Sequence, residues 1–338
     1  MSDDHLYTVE QEIADVQVDR PHVIILGAGA SLASFPKGDK NGQQLPVMTN
    51  LVEVLGLEAL LKECGIKHSR GDNFELIYSN LLRSNPLGAA KIEDAIDRYF
   101  SELELPDYPT IYDHLVLSLR EKDFIATFNW DPFLYQACSR NHRTAAPPRV
   151  AYLHGSVAVG YCGTDKRKGK RGGRCSVCGQ AFKPTKLLYP VAHKDYHCDT
   201  FIQAEWRGLE LHLKQAFALT IFGYGAPKSD VEAVALMKNA WGDVAGRDME
   251  QTEIVDVKAE DELSANWKPF IHSHHYEVHD NFHASWVANH PRRSCEAGWQ
   301  QFFEAKFIDV NPIPAKAGFP ELYRWLNPLL EAEKATGS

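Results

Sequence analysis

Val23-Ile24-Ile25-Leu26, running into Gly27-Ala28-Gly29-Ala30-Ser31, constrains the fold more than any other stretch of this chain. An unbroken run of branched apolar residues marks a strand buried on both faces, which means a parallel strand covered by helices. The glycines that follow make a tight strand-to-helix turn, and the first N–H groups of the next helix point at whatever lies beyond it. A nucleotide pyrophosphate is the first ligand to consider there. No third glycine completes the dinucleotide fingerprint, since position 32 is Leu32, so the downstream residues must decide.

They repeat the arrangement. Phe124–Phe128, Val150–Leu153, Leu187–Pro190, Ala218–Phe222 and Glu253–Val257 read as further strands. Between residues 48 and 120 apolar residues recur three and four apart, as in Leu51, Val54 and Leu55, and predict several helices broken near Gly71 and at Asn85-Pro86. Helices are also expected over 203–216 and from Asp230 to Trp241. Strands alternating with helices imply an α/β fold, a Rossmann-like doubly wound parallel sheet. The polar stretch Phe35–Gly42 is long enough to be mobile and to close over a ligand.

Bulk properties narrow the class. The chain has 338 residues, enough for one large domain, with 44% hydrophobic and 24% charged residues. Its net charge of −9 offers no general attraction to nucleic acid or anionic membrane, so direct nucleic-acid binding is not expected. No apolar run reaches the roughly 20 residues of a membrane span, and the acidic start Met1-Ser2-Asp3-Asp4-His5 does not read as a secretory signal. Seven unevenly spread cysteines argue against a disulfide framework and for a cytoplasmic protein.

In an open α/β sheet the ligand lies beyond the carboxyl ends of the strands. Those ends here carry Gly27, Gly29 and Ser31, then Asn129 and Asp131, then His154 and Gly155, then Gly223, Tyr224 and Gly225. Each group has an ordinary structural reading, a helix-capping turn for Asn129 to Pro132 or a core histidine for His154. Their occurrence at successive strand ends favours a site.

Taken in order, these segments resemble the sirtuin family. Gly27-Ala28-Gly29-Ala30-Ser31 matches its Gly-Ala-Gly-x-Ser opening, Thr127-Phe128-Asn129-Trp130-Asp131 its Thr-x-Asn-x-Asp motif, and Leu153-His154-Gly155-Ser156 its catalytic His-Gly motif. Gly223-Tyr224-Gly225 and Val255-Asp256 stand where the family has its later turn and the strand closing over adenosine. The Gly-Ile-Pro-Asp-Phe-Arg loop of the deacetylases is absent, and Phe35-Pro36-Lys37-Gly38-Asp39 lacks its arginine. The resemblance is therefore to the divergent bacterial anti-phage branch, which hydrolyses NAD+ to nicotinamide and ADP-ribose as an abortive-infection effector. It implies NAD+ as substrate and His154 as general base. Asn129 would orient the ribose or the attacking water, and Asp131 would contact the carboxamide or the ribose edge. Gly27, Ala28, Gly29 and Ser31 would cradle the pyrophosphate, with Gly223, Tyr224 and Asp256 toward adenosine.

Cys175-Ser176-Val177-Cys178 has the spacing of a zinc knuckle, and Cys162-Gly163 precedes it. The family resemblance places a four-cysteine zinc ribbon in this part of the chain, so a structural Zn2+ is expected within 160–186. Cys198 is the choice for fourth ligand, with His193 and His197 as rivals; Cys64, Cys138 and Cys295 read as packing residues. The basic run Lys166 to Arg171 with Arg174 reads as a solvated loop, with an acidic partner or nucleic acid as the other reading. His272, His274, His275, Glu277, His279 and His283 admit a catalytic metal, against which strand alternation would send half of them to opposite faces. Pro291-Arg292-Arg293 would meet phosphates or pair with carboxylates.

The expectation is a single sirtuin-like NAD-binding domain over 1–330, with a helical insertion at 48–120 and the zinc ribbon at 160–186. Residues 258–338 would form an extension that packs on the body or makes an oligomer interface. A toxic NAD+ hydrolase calls for control, so a homo-oligomer and a regulatory partner are implied, such as a hexameric DNA-translocating (HerA-type) ATPase or an Argonaute-type protein. The rivals are an NAD-dependent protein deacylase or ADP-ribosyltransferase, and a non-catalytic NAD or ADP-ribose sensor.

Overall fold

Alternate side chains of the first long strand enter different layers: Val23 and Ile25 belong to one apolar core, Ile24 and Leu26 to another. That partition requires helices on both faces, and the computed structural model has them. It describes residues 5–191, 196, 199–226, 230–243, 247, 251–271 and 276–336. After β1 (Leu6–Tyr7) and α1 (Val9–Ala14), β2 (His22–Leu26) leads into α2 (Ala28–Ser34). The helical insertion comprises α3 (Leu51–Leu55), α4 (Glu58–Glu63), α5 (Phe74–Ser84), α6 (Pro86–Ser101) and α7 (Ile111–Leu117). β3 (Phe124–Thr127), α8 (Phe133–Asn141) and β4 (Arg149–Tyr152) return to the sheet. The small module holds β5 (Val159–Cys162), β6 (Arg167–Lys170) and β7 (Lys183–Pro184). Then come α9 (Thr200–Gln215), β8 (Ala218–Phe222), α10 (Val231–Trp241), β9 (Gln251–Val255), α11 (Glu260–Trp267) and β10 (Tyr276–His279). The chain continues through α12 (Trp286–Asn289), α13 (Ser294–Phe302), β11 (Phe307–Ile308) and α14 (Phe319–Thr336).

Among the described residues six strands form the main sheet in the order β10-β9-β8-β2-β3-β4, all parallel. One layer is built from the insertion helices, α8 and α14, the other from α9, α10 and α11. The break expected at Asn85-Pro86 is a shared cap. Asn85 ends α5 and caps α6, its side chain accepting the Gly88 N–H at 2.9 Å, and Pro86 occupies the first turn, where its missing N–H has no intrahelical bond to lose.

Three expectations change. Leu187 to Pro190 is not a strand: Leu187 and Leu188 are buried, and among the described residues the segment's backbone bond to the sheet side is that of the Leu188 N–H to the His154 carbonyl, 2.9 Å. The loop after α2 is pinned. Asp39 accepts the N–H groups of Asn41, Gln43 and Glu104 at 2.8, 2.9 and 2.9 Å, and Phe35 packs on Phe133 with ring centroids 4.2 Å apart. The boundary at 258 cuts the sheet, because β10 is its edge strand.

The C-terminal segment packs on the body. Leu322, Leu326 and Leu329 of α14 are buried in the core. Arg292 and Arg293 pair with a carboxylate: Glu333 accepts from Arg292 Nε at 2.7 Å and Nη2 at 2.5 Å, and from Arg293 Nη1 at 2.7 Å. Two members of the basic run are also spent internally, Lys168 on Glu205 at 2.7 Å and Arg171 on Asp97 at 2.7 Å, tying the small module to α9 and α6. Among the described residues no helix is long and apolar enough to cross a membrane.

Candidate active site

The parallel sheet brings Ser31, Asn129, Asp131 and His154 to its carboxyl edge, and all four are buried. Local bonds set the turns. Thr127 Oγ1 accepts the Asn129 N–H at 3.0 Å as β3 ends, and Asp131 Oδ1 accepts that of Phe133 at 3.2 Å as α8 begins. Gly155 turns the chain after β4 with φ +77°, and a Cβ there would lie 2.2 Å from the Lys186 carbonyl oxygen.

Three of the groups form one hydrogen-bonded unit. Ser31 Oγ donates to Asp131 Oδ2 at 2.7 Å, and Asn129 Nδ2 donates to Gly27 O at 2.8 Å and to Ser31 Oγ at 3.1 Å. Tyr112 of α7 joins it, its hydroxyl 2.7 Å from Ser31 Oγ and 3.2 Å from Asn129 Nδ2. With the Ser31 proton given to Asp131, the Tyr112 hydroxyl donates to Ser31. Sequence reading missed Tyr112, which belongs to no motif and lies just inside the capped start of a buried helix.

Burial raises the Asp131 carboxyl to about 6, against the opposing pull of the Ser31 hydroxyl and the Phe133 N–H. Between its ordinary value of 3.8 and about 6 the folded chain therefore holds a proton that the unfolded chain has released. Stability falls as pH rises through that window. Asp131→Asn cannot ionise and escapes the fall. The wild-type-minus-variant difference in unfolding free energy should drop by roughly 2 kcal/mol between about pH 4 and pH 7, read from denaturant midpoints at each pH. A flat difference would show that Asp131 titrates normally.

The glycines serve a close approach between loops. Gly27 N–H bonds to the Phe222 carbonyl at 3.0 Å and Gly29 N–H to that of Gly223 at 2.9 Å. A Cβ on Gly27 would sit 2.5 Å from Gly223 O and 2.6 Å from Tyr224 Cα, and one on Gly29 2.7 Å from Gly223 Cα. These two amides are committed to the neighbouring turn, whatever role the rest of the helix start has. Gly27→Ala should lower unfolding stability by about 1–3 kcal/mol, because backbone must shift to admit the methyl; an unchanged thermal midpoint would contradict the contact.

His154 stands beside an aromatic column. Phe128 meets it edge-on at 4.8 Å between centroids and stacks on Tyr224 at 4.1 Å, while Tyr196 Oη lies 3.5 Å from His154 Nε2. The Tyr224 hydroxyl donates to Asp230 at 2.9 Å. Asp256 follows β9 and accepts the Lys258 N–H at 3.1 Å. A cavity of about 520 Å³, lined by Asp94, Asp97, Arg171, Leu188 and Tyr189 among others, has none of Ser31, Asn129, Asp131 and His154 in its lining.

The small module gathers a metal-ligating set. Cys162, Asp165, Cys175 and Cys178 place one donor atom each within 4.8 Å of the others. Cys162 Sγ is 3.6 Å from Cys178 Sγ and 3.5 Å from Asp165 Oδ2, which is 3.2 Å from Cys175 Sγ. Ligands of one tetrahedral zinc, at roughly 2.3 Å for sulfur and 2.0–2.2 Å for oxygen, stand at such separations. The set is compatible with a structural zinc. Asp165 was not foreseen, although Cys162-Gly163-Thr164-Asp165 repeats the spacing of Cys175 to Cys178. Cys198, His193 and His197 lie outside the described residues.

No family model matches the chain, and no curated protein matches it. Solved structures do. A Sir2 homologue–NAD complex matches at 13% identity over 97% of this chain and 93% of that chain, with a TM-score of 0.40. A Sir2 homologue mutant in complex with ADP-ribose matches at 14% identity, over 98% of each chain, with a TM-score of 0.37. Sir2 bound to acetylated peptide matches at 13% identity over 85% of this chain and 93% of that one, with a TM-score of 0.38. Likeness at this level carries no argument about ligand or activity, which must come from the residues themselves.

Proposed function

We propose that the chain is an NAD+ glycohydrolase that releases nicotinamide and ADP-ribose and acts as an effector of bacterial anti-phage defence. The observation that carries this reading is the union, at adjoining strand ends, of the Ser31–Asn129–Asp131 unit with the buried imidazole of His154. The order of the segments supplying those groups supports it.

The chemistry asks little of the leaving group. As the nicotinamide–ribose bond breaks, its electron pair returns to the pyridinium ring, and nicotinamide departs neutral without needing a proton. What remains is an oxocarbenium-like ribose that water must attack, and the water must lose a proton. His154 takes that proton as general base. Asn129, with its NH2 committed to Gly27 and Ser31, offers Oδ1 to hold the water or a ribose hydroxyl. Asp131 contacts the carboxamide or the ribose edge. A catalyst of this kind drains the cell when active, so the reading includes cytoplasmic location, homo-oligomeric assembly and a regulatory partner of the DNA-translocating ATPase class.

The test is nicotinamide release from NAD+ by the purified chain, with no acyl-peptide present. Release matched by equimolar ADP-ribose is the expected result. Release only when an acyl-lysine peptide is added would replace this reading with a deacylase, and NAD+ binding without turnover would replace it with a sensor.

A further inference from the structure

We propose that the β9–β10 edge of the sheet carries a second metal site, in which Glu253, Glu277 and His279 hold one divalent transition cation through two carboxylates and an imidazole. It lies apart from the cysteine cluster and involves none of the nucleotide-site residues.

The parallel register carries the inference first. Glu277 is paired with Glu253 across the two strands, so both side chains project from one face, and His279, two residues on, projects from it too. Alternation, which in the sequence counts against a metal in this segment, is what unites Glu277 and His279; His272, His274 and His275 lie outside the described residues. The distances follow. His279 Nε2 lies 3.1 Å from Glu277 Oε2 and 3.4 Å from Glu253 Oε1, and the three donor atoms fall within 4.8 Å of one another. Nitrogen and oxygen ligands about 2.0–2.2 Å from a shared ion stand roughly 3–3.5 Å apart.

The surroundings resemble those of a ligand set held in place. Glu253 is buried, and among the described residues its ion-pair partner is His279. Its carboxylate is oriented by the Thr220 hydroxyl, which donates to Oε2 at 2.7 Å, and by the Trp286 N–H, which donates to Oε1. Behind Thr220 stands His22, with Nε2 2.8 Å from its hydroxyl oxygen. Second-layer bonds of this kind fix ligand direction in metal sites. β10 is the edge strand, and the Glu277 side chain is 44% exposed, so an ion has a way in. Two carboxylates with a neutral imidazole match a doubly charged cation, and the nitrogen–oxygen set suits zinc or manganese over soft ions.

The test is zinc content per chain after equilibration with Zn2+ and dialysis against metal-free buffer. His279→Ala and Glu277→Gln should each hold one zinc fewer than wild type. Cys178→Ser should lose its zinc independently, and the His279→Ala/Cys178→Ser double variant should hold two fewer. Circular dichroism checks that each variant is folded, and Glu277→Gln preserves volume at an exposed position. Cobalt substitution adds a second reading: His279→Ala should remove weak visible bands while the thiolate charge-transfer bands remain. Zinc content equal to wild type in both edge variants would overturn the site and leave His279 as a bridge between two carboxylates. The outcome is independent of whether the chain cleaves NAD+.

Discussion

Replacing His154 with Ala is expected to slow nicotinamide release by about 10²–10⁴-fold, the range a positioned general base contributes. NAD+ affinity, measured by calorimetry, should stay nearly unchanged, because the imidazole acts on the water. Asn129→Ala should behave differently. It removes the donor that joins Gly27, Ser31 and Tyr112, so it should lower both turnover and stability, the latter by about 1–3 kcal/mol. A His154→Ala variant with wild-type turnover would remove His154 from the mechanism, whatever the fate of Asn129.

The largest stability effect should come from Glu333, far from that chemistry. Burial opposes its charge, but Arg292 and Arg293 outweigh burial and hold its carboxyl below the usual range. Both guanidinium groups also reach carbonyl oxygens, Arg292 that of Leu119 at 2.6 Å and Arg293 that of Ile13 at 2.9 Å. Glu333→Ala would leave two buried cations without their carboxylate, and breaking a buried pair from one side costs about 3–5 kcal/mol. Urea unfolding should show a lower midpoint at an unchanged slope. Glu333→Gln, which keeps an acceptor oxygen and the volume, should recover part of the loss. A variant as stable as wild type would mean that these arginines find other partners.

The sheet was legible because a strand buried on both faces leaves a continuous apolar run, as at Val23 to Leu26, that few alternatives can accommodate. The strand-end residues were legible for the same reason, since the end of such a run locates the polar group that follows it. Leu187 to Pro190 misled because strand character depends on a neighbour to pair with, and there the neighbour supplies one carbonyl. The bounds of β10 went unread within the histidine-rich stretch because edge strands in partial contact with solvent can carry histidines and glutamates, and composition then blurs the period. Tyr112 and Asp165 were hidden for another reason: each acts through a contact made in space, with no local pattern beyond the Cys-x-x-Asp echo. The glycines at 27 and 29 were found, but the contact that most directly demands them is with Gly223 and Tyr224, which no stretch of sequence displays.

The Asn129 amide fastens the β2 turn, the first helix after it and α7 to a single point. In thermodynamic terms the crevice is its own competitor. A ligand that engages the Ser31 hydroxyl or the Asn129 NH2 must first trade away bonds these groups already make to one another, so its apparent affinity is the intrinsic one reduced by the fraction of molecules in which they are free. Anything that draws α7 outward removes the two Tyr112 bonds from that competition and raises the affinity for a ligand that takes their place.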